Sequence, residues 1–185
     1  HEGIPVGINR VSTFKSPDFI NPLRAVWGDE NGIDPETAPD FIAVINDIFR
    51  NEKTKISYLC LGGLSTPGLA LKEDPLFRQQ VKEIIWSANG LTDTQGFNYK
   101  TDPGSASEIL KDEIPVRVVK GFGQTKIFSQ EVVSETGDIK TKYAEKFYGF
   151  FQSEIAKGHD FAYYVTDEAV ALFLQFPGHF KTEPS

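Results

Sequence analysis

Apolar positions along this chain fall into short β-branched runs that alternate with stretches of helical period. The first run is Ile4-Pro5-Val6. After a loop rich in Pro, Gly and Asp, the residues Phe41, Ile42, Val44, Ile45, Ile48 and Phe49 recur at the offsets of one buried helical face, which predicts a helix from about Pro39 to Arg50. Lys55 to Leu61 (KISYLCL) reads as a buried strand halted by Gly62-Gly63. Thr66-Pro67 then offers an N-cap with proline at the first helical position, opening a helix to about Lys72. A further helix covers Leu76 to Val81, and Glu83 to Ala88 (EIIWSA) predicts a second buried strand that ends in the Asn89-Gly90 loop. The alternation repeats: Asp102-Pro103 caps a helix to about Leu110, and Val116 to Val119 forms a third strand. Phe147, Phe150, Phe151 and Ile155 mark a longer helix around Tyr143 to Lys157. Thr166 is placed to cap a final helix carrying Ala169, Val170, Leu172 and Phe173.

Strands alternating with helices imply right-handed crossovers, hence an α/β fold with a mostly parallel sheet and helices on both faces. No internal repeat appears, and 185 residues suit one domain spanning the whole chain. Open sheets of this class bind ligands in the crevice beyond the carboxyl ends of their strands. The loops expected to carry a site are therefore Leu61 to Thr66 and Asn89 to Asn98.

Composition narrows the ligand. Hydrophobic residues make up 39% of the chain and charged residues 24%, with 15 Phe, so aromatic packing supplies much of the core. Nineteen basic against 26 acidic side chains leave a net charge of −7, and the Lys and Arg are scattered, which argues against a nucleic-acid partner. The longest purely apolar run, Ala169 to Leu174, is far short of the roughly 20 residues of a membrane span. One cysteine excludes an internal disulfide and a cysteine-rich zinc site, and the three His lie far apart. The chain opens on His1 and contains no Met, so we expect it to be part of a longer protein.

The stretch Asn89 to Asp102 (NGLTDTQGFNYKTD) is dense in amides, hydroxyls and carboxylates. It could line a pocket for a polyhydroxylated ligand or a hard cation, or be an ordinary solvated turn. Asp167, at an expected helix start, could complement the helix dipole or point at a metal. Gly62-Gly63 lacks the GxGxxG spacing and a Walker lysine, which rejects a phosphate loop. Cys60 reads as a small buried hydrophobe, His159-Asp160 after Gly158 as a helix stop, and His179 as a loop residue.

Three segments, taken in order, resemble the nucleoside hydrolases, the inosine-uridine-preferring family of N-ribosyl hydrolases. Leu61-Gly62-Gly63-Leu64-Ser65-Thr66, running on to Pro75, resembles that family's TGPLTN-x-A-x-AL-x-x-x-P segment. Gly96-Phe97-Asn98-Tyr99-Lys100-Thr101-Asp102-Pro103 with Ala106 is similar to EFN-x-x-x-DPEAA. Thr166-Asp167-Glu168-Ala169-Val170-Ala171-Leu172-Phe173, followed by Pro177 and Phe180, is similar to HDPLAVAYL-x-x-PELF. A weaker likeness links Val26 to Gly32 with the family's VHGEDGL loop.

The resemblance implies an open three-layer architecture, a calcium ion that holds the attacking water, and a nucleoside or riboside substrate handled in purine and pyrimidine salvage by a homodimer or homotetramer. It places the carbonyl of Leu61 and the carboxylate of Asp167 in the calcium shell, Asn98 on the ribose hydroxyls, and Asn89 as a looser second ribose contact. Trp27 stands at the family's flap histidine, Gly96 at a ribose-binding glutamate and Thr166 at a histidine that assists the leaving base. The family's DxDxxxDD cluster, which supplies the other calcium carboxylates and the general base, has no counterpart in these residues, so no catalytic residue is assigned. The resemblance thus leads us to expect a chain without the family's N-terminal strand and C-terminal end. Two readings follow: a calcium-dependent hydrolase of N-glycosidic bonds, or a silent ribose-binding or interaction protein on the same scaffold.

Overall fold

The computed structural model describes residues 3–11, 36–121, 124–125, 130–157, 163–164 and 166–183. In chain order the elements are α1 (Phe41–Asn51), β1 (Ile56–Cys60), α2 (Ser65–Glu73), α3 (Pro75–Gln80), β2 (Val81–Ser87), α4 (Phe97–Thr101), α5 (Pro103–Lys111) and β3 (Val116–Val119). They continue with β4 (Gln124–Thr125), α6 (Gln130–Asp138), α7 (Lys142–Ala156), β5 (Tyr163–Tyr164), α8 (Asp167–Gln175) and a 3₁₀ turn, Pro177–His179. The chain forms two compact units, the first holding residues 3–11, 36–121 and 166–183 and the second the described residues between 124 and 164.

In the first unit β1, β2 and β3 make a parallel sheet in that order, with Cys60 opposite Trp86 and Ser87 opposite Val119. Strand side chains alternate between faces. Ile84 and Trp86 bury into one cluster with Phe41 and Phe49 of α1, Leu71 of α2, Phe77 of α3 and Ile109 of α5. Ile85 points the other way and buries with Val119 against Ala169 and Val170 of α8. Helices therefore cover both faces of an open parallel sheet, an α/β architecture in three layers. Among the described residues no helix is long and apolar enough to cross a membrane.

Local chemistry starts these helices. Asp40 accepts from the Ile42 amide, Asp74 from Leu76 and Asp102 from Ser105, each freeing its helix of one orphan donor. The expected cap at Thr66 is corrected: α2 begins one residue before it, at Ser65, with Leu64 in the cap position. Pro67 then falls third in the helix, still among the amides that lack an intrahelical partner, and Thr66 accepts from the Asn9 side chain instead. Thr166 occupies the cap position of α8 with no capping hydrogen bond, its backbone being already helical. Ile4-Pro5-Val6 forms no strand: Pro5 has no amide to donate, Ile4 and Val6 stay exposed, and Ile8 makes a single parallel bridge to Asp40.

Across the start of the sheet Glu83 accepts from the Ser57 hydroxyl at 3.0 Å and from Arg117 at 2.6 Å. Burial opposes its charge, yet Ser57 and Arg117 outweigh burial and hold the carboxyl below its ordinary range. A depressed carboxylate stabilises the fold above the ordinary range and ceases to as the pH falls through its folded value. Glu83→Gln is expected to cost about 1–2 kcal/mol at pH 7, the low end for a charged hydrogen bond because Arg117 is itself exposed. The difference should shrink below about pH 4. Urea unfolding of both proteins at pH 7 and pH 3 checks this, and an equal gap at both values would contradict it.

In the second unit α6 and α7 pack around Val133, Ala144 and Phe151, with the Phe147 and Phe151 rings stacked. Gly137 faces the Tyr148 ring, which a Cβ would meet at 2.9 Å. β4 and β5 pair antiparallel.

Candidate functional site

The carboxyl ends of β1 and β2 are tied together by one side chain. Asn98, on α4, donates through Nδ2 to the carbonyl of Leu61 at 3.1 Å and to that of Ser87 at 2.8 Å. An amide has two hydrogens, so both are spent on the two strand ends and Oδ1 is left as its acceptor. The turn below it is fixed from the core. Trp86 donates its indole hydrogen to the Gly62 carbonyl at 3.0 Å, and the Cys60 thiol lies 3.3 Å from the Gly63 carbonyl. Within α4 Thr101 donates to the Asn98 carbonyl at 2.8 Å, and Gly63 of the turn packs against the Thr101 side chain.

Asp167 enters from the other face of the sheet as the first residue of α8. Burial raises its carboxyl above the ordinary range; a hydrogen bond from Ser87 opposes that shift and the charge of Glu168 adds to it. The Cys60 thiol is pushed up to about 11 by its burial, against a backbone hydrogen bond at Gly62 and with the charge of Asp167 adding. Cys60 is thus a neutral wall of the site, as its strand position indicated.

Leu61, Asn98 and Asp167, expected as site residues, are gathered around the ends of β1 and β2, with Ser87 between the last two. Asn89 lies in the loop beside Asp93, whose carboxylate accepts from the Gln95 amide at 2.9 Å and is held below the ordinary carboxylate range chiefly by that bond. This organises the loop ahead of Gly96, where a Cβ would come within 3.4 Å of Asn89 Nδ2. Trp27 and His159-Asp160 lie outside the described residues. Ser87, whose carbonyl accepts from Asn98, was missed, because a backbone acceptor leaves no mark in the sequence.

Calcium takes six to eight oxygen ligands. Here the Leu61 carbonyl already accepts from Asn98, and Asp167 brings one carboxylate that burial disfavours as an anion. Among the described residues no three His, Cys, Asp or Glu side chains stand close enough to share an ion. These residues do not by themselves make a calcium site.

No protein-family model matches the sequence, and none of the curated proteins does. Solved structures do match. An inosine-uridine preferring nucleoside hydrolase from Bacillus anthracis superposes with a TM-score of 0.59 at 15% identity, covering 77% of this chain and 50% of that one. A purine-preferring ribonucleoside hydrolase from Gardnerella vaginalis gives 0.66 at 18% identity, over 96% of this chain and 63% of its own. The fold is that of the nucleoside hydrolases. The chain spans between 50% and 63% of the length of these two enzymes. The nucleoside hydrolase-like fold also extends to the type III effector protein XopQ, solved with adenosine diphosphate ribose, at TM-score 0.51 and 15% identity over 70% of this chain and 44% of that one.

Proposed function

We propose that the carboxyl ends of β1 and β2 bind a ribosyl group and that the protein hydrolyses the N-glycosidic bond of a ribonucleoside or related riboside. The observation that carries this reading is Asn98: with both amide hydrogens held by the strand ends, its Oδ1 is a fixed acceptor for a sugar hydroxyl. The other oxygens nearby, from Leu61, Ser87 and Asp167, are acceptors too, which favours a ligand rich in hydroxyl donors. In the reaction water adds to the anomeric carbon as the C–N bond breaks, the bonding pair leaves with the base, and the water proton passes to a base. Asp167, partly desolvated, is positioned to stabilise positive charge growing on the sugar ring. Calcium belongs to this reading only together with carboxylates beyond the described residues.

A second reading, a sugar-binding protein without turnover, is favoured because among the described residues no three His, Cys, Asp or Glu side chains stand close enough to share an ion. Its ligand could be a nucleoside diphosphate sugar of the kind held by XopQ. The test is reducing-sugar release from inosine and uridine, with calcium and with chelator, alongside titrations of ribose and adenosine diphosphate ribose. The hydrolase reading expects turnover that chelator abolishes. Binding without turnover under either condition would transfer the protein to the second reading, and neither binding nor turnover would sink both.

A further inference from the structure

We infer that the cleft between the last turns of α2 and α5 binds a phosphate group, free or carried by a small metabolite, with Arg78, Lys111 and Lys72 as its donors. The inference is independent of the riboside reading. The cleft has a volume of about 450 Å³ and is lined by Leu71 and Lys72 of α2, Arg78 of α3, Glu108 and Lys111 of α5, and Asp112 directly after it. α2 starts at the turn after β1 and α5 directly after α4, so their last turns lead away from Asn98 and the strand ends around it.

The charges of this cleft are not equivalent. Arg78 donates through Nε at 3.0 Å and Nη2 at 2.8 Å to a single oxygen of Asp112. The Asp112 side chain is only 9% exposed, and its other oxygen accepts from the Ile114 amide at 3.2 Å. The guanidinium is thus fixed in direction before any ligand arrives, with the rest of its N–H groups left for one. Lys72 pairs with Glu108 at 2.7 Å, but both side chains are about half exposed and water weakens the pair. Lys111 has no ion-pair partner among the described residues. Three cations therefore share the cleft with two carboxylates, a net positive site on a chain of net charge −7. A phosphate carries close to two negative charges at neutral pH and offers three acceptor oxygens, so it can meet Arg78 and Lys111 together and compete with Glu108 for Lys72. Leu71 gives the cleft an apolar floor, and the volume leaves room for the rest of a small phosphate ester.

Titration of the full chain with inorganic phosphate and with glycerol phosphate, followed by amide NMR at constant ionic strength, tests this. The amides of Lys72, Arg78 and Lys111 should shift to saturation with either probe and should not do so with chloride. Lys111→Gln, an exposed change that breaks no ion pair, should weaken both affinities about fivefold, the value of one charge-assisted hydrogen bond reduced by exposure to solvent. Lys181→Gln makes the same change of charge outside the cleft and should leave both affinities as they are. Tighter binding of the ester identifies a phosphorylated metabolite as the source of the group, and equal binding identifies free phosphate. Shifts that do not saturate, that chloride reproduces, or that Lys111→Gln and Lys181→Gln weaken equally overturn the assignment.

Discussion

Trp86→Ala is expected to lower the free energy of unfolding by about 3–5 kcal/mol, the range for deleting a fully buried aromatic side chain. Trp86 has no exposed surface and sits on the central strand within the cluster that joins α1, α2, α3 and α5 to the sheet. Its removal leaves a cavity that β2 cannot close, because that strand is paired on both sides. The indole also fixes the turn after β1 through the Gly62 carbonyl. Trp86→Phe keeps most of the apolar contact and gives up only that bond, so it should cost about 1–2 kcal/mol. Urea unfolding at 25 °C measures both. The phenylalanine variant carries a second expectation: the Leu61 carbonyl, one residue before Gly62, should be less well held, and ribose binding should weaken more than stability does. A Trp86→Ala protein within 1 kcal/mol of the parent would mean that the sheet is not organised around this residue.

How much of this was legible in the sequence depends on how each element is stabilised. β1, β2 and β3 are read correctly because Ile84, Ile85, Val116 and Val119 form short apolar runs stopped by Gly, Asn or Lys. α1, α5 and α7 declare themselves by period or by Asp and Pro at their starts. α4 does not: its five residues, Phe97 to Thr101, have no buried side chain and no side-chain cap, and the helix is held by the two bonds from Asn98 to the strand ends. The stretch expected as a continuous loop therefore puts Asn98 on a helix. α6 is equally silent, since Val132, Val133, Thr136 and Gly137 are weak helix formers whose conformation is decided by packing on α7. β4 and β5 are too short for any period to show.

The site was legible to the degree that its residues share a local motif. Leu61, Asn98 and Asp167 come from three separated segments, and the sequence order gave no distance between them; the parallel register of β1 and β2 is what brings Leu61 and Ser87 within reach of one amide. Asn89 is nine residues from Asn98 and of the right chemistry, and its side-chain nitrogen stands beside Gly96, just ahead of α4. Spacing alone does not reveal whether such an amide serves its own loop or a ligand.

Gly63→Ala is expected to destabilise the protein by about 1–3 kcal/mol and to abolish ribose binding, a larger functional than structural loss. The reason is space and not backbone conformation, since among the described residues the one glycine with positive φ is Gly3. A Cβ on Gly63 would overlap the Thr101 hydroxyl and lie 2.9 Å from Thr101 Cβ. That hydroxyl cannot simply swing aside, because it donates to the Asn98 carbonyl. Either that bond breaks or α4 moves outward, and either way Asn98 loses its hold on the ends of β1 and β2. Thr101→Ala removes the closest obstructing atom but leaves the contact at 2.9 Å, a few tenths of an ångström too tight. The double variant Gly63→Ala/Thr101→Ala should therefore recover part of the stability, with a coupling of about 1 kcal/mol between two sites in direct contact. Unfolding free energies of the two single variants and the double variant give that coupling directly. Purely additive losses, or a Gly63→Ala protein that still binds ribose, would show that α4 is not seated on this turn and that Asn98 is held by some other means.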